Sequence, residues 1–183
     1  TGELSYQPVD GWAKVPGSWI LRECAGVAVD SNDRVYAFTR GSHPLIVFDR
    51  DGNVINSWGK GLFKQPHGIT IGPDDSIYLA DNDYHNVRKF TLEGELLMTI
   101  GQESSRWSGD PFNLPNHTAV SSKSGDLYIV DGYGNSRVHR YSSDGEHIMS
   151  WGTSGIDPGH FVIPHNIVID SDDNIYVADR ENH

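Results

Sequence analysis

The feature that most constrains the fold is one apolar run that recurs along the chain. Copies of this run begin at residues 25, 67, 116 and 165, so successive copies start 42, 49 and 49 residues apart. A phenylalanine and a proline precede two of them, in Phe63-Lys64-Gln65-Pro66-His67 and Phe161-Val162-Ile163-Pro164-His165, and Phe112-Asn113-Leu114-Pro115-Asn116 is a degenerate version. Periods of about 40 to 50 residues are typical of propeller blades, which are four-stranded sheets.

Each unit carries the signals of four strands. A polar turn follows the apolar run, a strand containing tyrosine comes next, and a third strand such as Leu45-Ile46-Val47-Phe48 ends at an Asp-Gly or Glu-Gly turn. The fourth strand ends in Trp58-Gly59, Ile100-Gly101 or Trp151-Gly152. No long segment has an apolar stripe of helical period, so the sequence predicts an all-β propeller. We expect a single, incomplete propeller domain over residues 1–183, with an N-terminal lead-in segment at residues 1–23.

The number of units leaves the ring open. Three complete units and the first half of a fourth are present, which corresponds to about three and a half blades. A propeller needs about four to eight blades to close without leaving edge strands open. We therefore expect either a fragment of a longer protein, which is the favoured interpretation, or a homo-oligomer in which two chains complete the ring.

Charge and hydropathy exclude two classes of partner. The formal net charge is −11 and the 14 lysines and arginines are scattered, so we expect neither nucleic acid nor a membrane as a partner. No run approaches the roughly 20 apolar residues that span a bilayer. The start at Thr1 is compatible with a removed leader, so the lack of a signal does not exclude export; the compartment stays open, with a lean toward a secreted or periplasmic location. The single cysteine, Cys24, precedes an apolar run and is expected to be a buried structural thiol.

Histidines occupy the same repeat position in two of the units. The first strand of each propeller blade lines the central channel, so His67 and His165 are expected to converge on the axis. Neutral imidazole suits zinc, and a catalytic zinc usually has three protein ligands and one open position. The alternative is that both are hydrogen-bonded histidines near the channel mouth, and periodicity alone does not separate the two.

The other histidines are expected to stand apart from this pair. His117 follows the aligned Asn116 by one residue, and a shift of one residue in a strand turns the side chain to the opposite face. We therefore exclude it from the metal ligands. Six further histidines lie in turns or polar strands and are expected at the surface: His43, His85, His139, His147, His160 and His183.

A second group of polar residues lies where the tyrosine-containing strands end. The aligned position holds Arg40 and Arg180 in two units, and Tyr133 lies one step further on in a third, between two glycines. Two arginines and a tyrosine on different blades would suit recognition of a carboxylate. The structural alternative is that Arg180 and Asp179 form a salt bridge between blades and that Tyr133 is a packed aromatic of the turn.

Taken together, these motifs resemble one family. Units with Pro-His-Gly-Ile, Ile-Tyr-x-Ala-Asp and a final Trp-Gly look like NHL repeats. The stretches 131–138, 159–161 and 178–182 resemble the peptidyl-α-hydroxyglycine α-amidating lyases, with the sequences Asp-Gly-Tyr-Gly-Asn-Ser-Arg-Val, Gly-His-Phe and Ala-Asp-Arg-Glu-Asn. Residues 38–43 and 62–68 match the same family in the same order. The resemblance spans about residue 24 to the end of the chain.

The resemblance implies a six-bladed propeller that splits a peptidyl-α-hydroxyglycine into a peptide amide and glyoxylate. Such a lyase uses a zinc ion held by three histidines and a structural calcium ion on the axis. His67 and His165 then correspond to two zinc ligands, and the third belongs to a later blade. Tyr133 matches the proposed general base, while Arg40 and Arg180 match groups that place a peptide or small-molecule substrate by its carboxylate.

The same resemblance locates the calcium ion and shows one departure. In this family the calcium ion is held partly by backbone carbonyl groups, which correspond here to those of Val27 and Ile69. Gly134 stands where the family often has a disulfide cysteine. Because Cys24 is the only cysteine of this chain, that bridge cannot form, and the identity of the substrate is less constrained.

Two other functions are compatible with the repeats. A non-catalytic NHL propeller that binds a protein or peptide would need neither His67 nor Tyr133. A propeller hydrolase of the gluconolactonase type would hold calcium mostly by carboxylates. Few aspartates and glutamates occupy the aligned first-strand positions, which speaks against the hydrolase.

Overall fold

The computed structural model describes residues 4–102 and 111–182, and every regular element in those ranges is a β-strand. The strands are β1 (Cys24–Val29), β2 (Val35–Thr39), β3 (Leu45–Phe48), β4 (Val54–Trp58), β5 (Pro66–Ile71), β6 (Ile77–Asp81), β7 (Asn86–Phe90), β8 (Leu96–Gly101), β9 (His117–Val120), β10 (Leu127–Asp131), β11 (Arg137–Tyr141), β12 (His147–Trp151), β13 (Pro164–Ile169) and β14 (Ile175–Asp179). Within the described ranges, no helix is long and apolar enough to cross a membrane.

The strands form antiparallel sheets in the order of the chain. Three sheets have four strands each, β1 to β4, β5 to β8 and β9 to β12, and we call them blades one, two and three. The hairpin of β13 and β14 is a two-stranded sheet, which we call blade four. The first strands of successive blades contact one another, as expected when they surround a common axis. The predicted all-β propeller fold is thereby confirmed.

A hydrogen-bonded turn joins the first and second strands in all four blades, and it is one residue longer in blade three. In blade one, Oδ1 of Asp30 accepts the backbone N–H groups of Asn32 and Arg34 at 2.9 Å each. Aspartate and glycine tolerate the left-handed backbone that such turns need. That conformation recurs at one residue of each turn: Asp33 (φ 60°), Asp75 (φ 55°), Gly125 (φ 75°) and Asp173 (φ 66°).

The apolar core lies between blades. Tyr36 and Phe38 of blade one are fully buried against blade two, where Phe90 is 2% exposed. Equivalent clusters join blades two and three and blades three and four, and Ile129 and Ile167 are central members of these. Complete burial of one such side chain contributes about 1.5–3 kcal/mol. Packing between sheets therefore stabilises the propeller.

An aspartate at the end of the second strand anchors the loop that leads into the first strand of its blade. In blade two, Asp81 is fully buried and accepts the backbone N–H groups of Lys64 at 2.7 Å and Gln65 at 3.0 Å. Asp131 and Asp179 accept backbone N–H groups of the corresponding loops in blades three and four. The entry to each of these inner strands is thus held by the same carboxylate.

The segment that precedes β1 runs along blade one. Within residues 4–23, the indole Nε1 of Trp12 donates to the carbonyl oxygen of Arg50 at 3.1 Å. The backbone N–H of Lys14 donates to the carbonyl oxygen of Gly52 at 2.8 Å. The lead-in therefore packs on the turn between β3 and β4.

The expectation of a buried Cys24 is wrong, because this residue is exposed. The apolar pattern of β1 correctly predicts a strand, but not whether another blade covers its flank. Ile69 is buried against Gly26 of blade one, whereas Val27, at the position aligned with Ile69, is 65% exposed. Burial of an inner strand therefore depends on the preceding blade, which no local pattern reports.

Gly68 lies where β5 passes close to β9, and it offers a test of packing between blades. A Cβ atom at Gly68 would lie 2.4 Å from the carbonyl oxygen of Asn116 and 2.7 Å from Cα of His117. We expect Gly68→Ala to lower the free energy of unfolding by about 1–3 kcal/mol in urea denaturation, because backbone atoms must shift. Gly17→Ala is the matched control, since no atom lies within 4 Å of its Cβ position. Equal unfolding curves for the two variants would contradict this packing.

Candidate functional site

The two aligned histidines enter the site on strands whose entry loops are anchored. His67 is the second residue of β5 and His165 the second residue of β13. Asp81 and Asp179 hold the loops just before them, at distances of 2.7 to 3.1 Å. Because the two strands belong to blades two and four, the axis brings their imidazole rings to a centroid separation of 5.0 Å.

The turn after β10 carries Tyr133 between the two histidine-bearing blades. Gly132 permits a close approach, because a Cβ atom there would lie 2.1 Å from the carbonyl oxygen of Pro164. The backbone N–H of Gly132 donates to Oδ1 of Asn116 at 2.7 Å. Asn116, which replaces histidine in the repeat, is fully buried and so supports the tyrosine turn. The sequence signal for this role is that Asn116 stands at the repeat position where two of the other units have a histidine.

The hydroxyl group of Tyr133 is the point at which the site residues converge. It lies 3.3 Å from Nε2 of His67 and 2.9 Å from Nε2 of His165. Nη1 of Arg180 donates to the same oxygen at 3.4 Å, and its guanidinium lies 5.4 Å from the centroid of the tyrosine ring. Residues from blades two and four thus surround one oxygen atom of blade three.

Hydrogen bonding and burial favour neutral imidazoles at this site. Nδ1 of His67 lies 2.8 Å from the carbonyl oxygen of Asn116, which only accepts, so Nδ1 carries the proton and Nε2 presents its lone pair. Burial lowers the pKa of His67 to about 4. Burial, and then the charge of Arg180, lower the pKa of His165. Neutral imidazole with a second-shell hydrogen bond is the form that binds metal ions.

The two arginines occupy different sides of the site. Nε of Arg40 donates to the carbonyl oxygen of Pro66 at 3.1 Å, and its side chain borders a cavity that also reaches Tyr133. Arg180 is exposed, and its Nε pairs with Oε1 of Glu181 at 3.0 Å. The suggested pairing of Arg180 with Asp179 is therefore wrong, because the carboxylate of Asp179 accepts backbone N–H groups instead.

The histidine pair fits two ligand positions of a zinc site. Both Nε2 atoms lie within hydrogen-bonding distance of one hydroxyl, and the lone pair of His67 is oriented by Asn116, so the pair fits two of the ligands that zinc requires. Among residues 4–102 and 111–182, no group of three histidine, cysteine, aspartate or glutamate side chains is arranged to hold a metal ion. A complete site would need at least one more ligand.

The carbonyl groups assigned to calcium face the axis. The backbone N–H of Asp30 donates to the carbonyl oxygen of Arg34 at 3.1 Å, and that of Gly72 donates to the carbonyl oxygen of Ser76 at 2.8 Å. Along each hairpin, residues that are hydrogen-bonded to the second strand alternate with residues that are not, and these pairs fix which are which. Counting back from these pairs places Val27 and Ile69 among the residues that are not bonded to the second strand. Both border an axial cavity of about 350 Å³. Carbonyl oxygens at such an edge are donors that fit calcium.

The expectation of surface positions fails for two of the other histidines. His85 is 3% exposed and accepts the backbone N–H of Leu114 at Nδ1, and His139 is 5% exposed and contacts Asp131 through Nε2. Local polarity did not reveal that tertiary partners cover both rings. His117 lines the axial cavity and bonds through Nδ1 to the carbonyl oxygen of Thr118, while His183 lies outside the described residues.

Comparison with known proteins identifies the class of propeller. The model of the NHL repeat matches residues 63–90 and 161–183, which contain β5 to β7 and the hairpin of blade four. The chain is thus a β-propeller built from NHL repeats, with a histidine and tyrosine site where its blades meet.

Curated relatives narrow the family further. The chain is 37% identical over 155 residues to peptidyl-alpha-hydroxyglycine alpha-amidating lyase 1 of Drosophila melanogaster, which covers 78% of this chain and 28% of the relative. It is 31% identical over 202 residues to peptidylglycine alpha-amidating monooxygenase of Rattus norvegicus, covering 91% of this chain and 21% of the relative. NHL repeat-containing protein 3 of Homo sapiens is 31% identical over 196 residues, covering 100% of this chain and 56% of the relative.

The chain contains NHL repeats and is related in sequence to the peptidyl-α-hydroxyglycine α-amidating lyases, which confirms the resemblance noted in the sequence. It spans between about a fifth and just over half of the length of these relatives. A solved virginiamycin B lyase from Staphylococcus aureus aligns with a TM-score of 0.63 at 15% identity, over 84% of this chain and 47% of the other. At that identity the likeness shows the fold alone.

The lowered pKa of His67 predicts a pH-dependent stability in the metal-free protein. In the folded protein His67 resists protonation down to about pH 4, whereas a histidine in the unfolded chain takes up its proton near pH 6.5. Stability is therefore highest above pH 6.5 and falls as the pH drops toward 4, with His67 contributing on the order of 2–3 kcal/mol. Urea denaturation of chelator-treated protein at several pH values measures this slope.

The variant His67→Asn keeps a donor for Asn116 and removes the titrating ring. Its stability should fall less steeply than that of the wild type between pH 6.5 and 4. His147→Asn changes an exposed histidine and is the control. An unchanged slope in His67→Asn would show that the ring is not held neutral.

Proposed function

We propose that this chain carries part of the active site of a zinc-dependent lyase that splits peptidyl-α-hydroxyglycine into a peptide amide and glyoxylate. The single observation behind the proposal is the position of the Tyr133 hydroxyl, 2.9 Å from Nε2 of His165 and 3.3 Å from Nε2 of His67. The names of the curated relatives support the same reaction class. A binding module would need no such convergence.

The arginines would orient the substrate across Tyr133. Arg180 lies beside the tyrosine hydroxyl and uses only Nε for Glu181, so its remaining N–H groups are placed to bind the carboxylate that becomes part of glyoxylate. Arg40 borders the cavity on the other side, where its guanidinium would donate to a carbonyl oxygen of the peptide. The carbon that bears the substrate hydroxyl then lies next to Tyr133.

Proton transfer at Tyr133 would start the cleavage. Once its phenol had given up its proton, the oxygen of Tyr133 would take the proton of the substrate hydroxyl, whose oxygen would become the aldehyde oxygen of glyoxylate as the bond between carbon and the amide nitrogen breaks. The same proton would then pass from Tyr133 to the amide nitrogen, which would leave as the peptide amide. His67 and His165, both neutral, present their Nε2 lone pairs to the same region.

Two metal ions belong to the proposal. Zinc held by His67 and His165 would supply Lewis-acid chemistry that lowers the pKa of a hydroxyl group next to it. A structural calcium ion would be held by the carbonyl groups of Val27 and Ile69 at the axial cavity. The third zinc ligand would come from outside the described residues, or from a second copy that completes the ring, which stays a prediction.

Metal analysis tests the histidine pair. We expect zinc to bind the purified chain, and His67→Ala and His165→Ala each to weaken its affinity at least tenfold, since each removes a ligand. His147→Ala removes an exposed histidine outside the site and should leave the zinc content unchanged. A chain that holds no zinc, or that loses it equally in all three variants, would contradict the proposed metal site and favour a non-catalytic peptide-binding propeller.

Glyoxylate release tests the role of Tyr133. With a peptidyl-α-hydroxyglycine as substrate, Tyr133→Phe should lower kcat by about 10²- to 10⁴-fold, because the variant cannot accept the proton. Tyr176→Phe removes a hydroxyl in the hairpin of blade four and is the control. Equal rates for wild type and Tyr133→Phe would exclude Tyr133 as the base.

A further inference from the structure

A cavity of about 440 Å³ extends from the site toward blade two. It is bordered by Arg40, Gln65, Asn82, Asp83, Leu114 and Tyr133, and we call it the Asp83 cavity. The residues that line it differ in chemistry. Arg40 and Tyr133 link it to the histidine site, whereas Asp83 and Leu114 bring a carboxylate and an apolar side chain that the proposed reaction does not use.

The wall that carries Asp83 is held on both sides. Asn82 donates from Nδ2 to the carbonyl oxygen of Pro115 at 2.5 Å, and the backbone N–H of Tyr84 donates to Oδ1 of Asp81 at 3.1 Å. The turn is therefore tied both to its own strand and to the loop of blade three. Asp83, at its tip, is positioned before any ligand arrives.

The loop that carries Leu114 is also fixed in place. Leu114 and His85 both have left-handed backbones, with φ of 68° and 52°. The backbone N–H of Leu114 donates to Nδ1 of the buried His85 at 3.1 Å. A non-glycine residue pays a conformational cost in this region and holds it only where its surroundings impose it. The apolar side chain of Leu114 is thus kept at the cavity.

The carboxylate of Asp83 differs from those of the neighbouring aspartates Asp74 and Asp81, which have partners within the protein. Asp81 accepts several backbone N–H groups, and Asp74 accepts Nζ of Lys89 at 2.9 Å. The half-buried carboxylate of Asp83, in contrast, has no hydrogen bond or ion pair to any residue in the described ranges 4–102 and 111–182. A negative charge held without a partner in a cavity favours a cation.

We propose that the Asp83 cavity binds the residue that precedes the α-hydroxyglycine and selects a cationic group there. The inference rests on the proposed function, because it uses Arg180 for the carboxylate and Arg40 for the adjoining carbonyl oxygen. The ammonium or guanidinium head meets Asp83, and its methylene stem packs on Leu114. A lysine or arginine side chain and the free amino group of a dipeptide share this chemistry.

Binding of peptides that end in glycine separates these sources without requiring turnover. Isothermal titration calorimetry would compare N-acetyl-Lys-Gly, N-acetyl-Ala-Gly, N-acetyl-Glu-Gly and unblocked Ala-Gly. We expect N-acetyl-Lys-Gly to bind about threefold to tenfold more tightly than N-acetyl-Ala-Gly, and N-acetyl-Glu-Gly to bind most weakly. A gain for unblocked Ala-Gly over its acetylated form would identify the amino terminus as the cation instead.

Charge variants assign the preference to Asp83. Asp83→Asn should remove the lysine preference, and Asp83→Lys should reverse it toward N-acetyl-Glu-Gly. Asp144→Asn removes the same charge from an exposed turn and is the control, which should behave as the wild type. In 0.5 M salt the wild-type preference should shrink, because the pair is only half-buried.

The outcomes distinguish this inference from the proposed function. Equal binding of all peptides, no binding at all, or a lysine preference that survives in Asp83→Asn would overturn the role of the cavity. A lysine preference that depends on Asp83, without glyoxylate release from α-hydroxyglycine peptides, would support the cavity and count against the lyase. Glyoxylate release without a lysine preference would support the lyase and count against the proposed role of the cavity.

Discussion

This site depends on the hydrogen bonds that the aspartate at the end of the second strand accepts from the loop leading into the first strand. Asp81, Asp131 and Asp179 each accept backbone N–H groups from the loop that enters the first strand of the blade. Those groups have no strand partner, and leaving one buried and unpaired costs about 1–3 kcal/mol. Because both ends of the contact lie at the same edge of the sheet, one side chain sets the entry to the inner strand and the start of the following turn.

The geometry of the site follows from that anchor. His67 and His165 come two to three residues after an anchored loop, and Tyr133 comes two residues after Asp131 itself. Their positions relative to one another are then decided by how closely the blades pack, which is why Gly132 must lie against the carbonyl group of Pro164. A site made from three blades needs no helix and no long loop within residues 4–102 and 111–182.

Local sequence patterns predicted the elements well and their surroundings less well. Alternating apolar residues and polar turns identified the four-stranded units, because strand period and turn chemistry are properties of neighbouring residues. The same reasoning misplaced Cys24, His85 and His139. Their exposure depends on partners distant in sequence, as when Leu114 of the next blade covers His85.

The sequence by itself determined the repeat and the all-β propeller. It also named the candidate residues, since His67, His165, Arg40 and Arg180 stand at aligned repeat positions and Tyr133 lies one step beyond one of them. Only the tertiary structure decided that one tyrosine hydroxyl lies between two imidazoles, that Asn116 orients the ring of His67, and that Asp83 borders a cavity with no hydrogen-bond or ion-pair partner among residues 4–102 and 111–182. The physical reason is that period and turn chemistry act along the chain, whereas these contacts arise where separate blades pack around an axis.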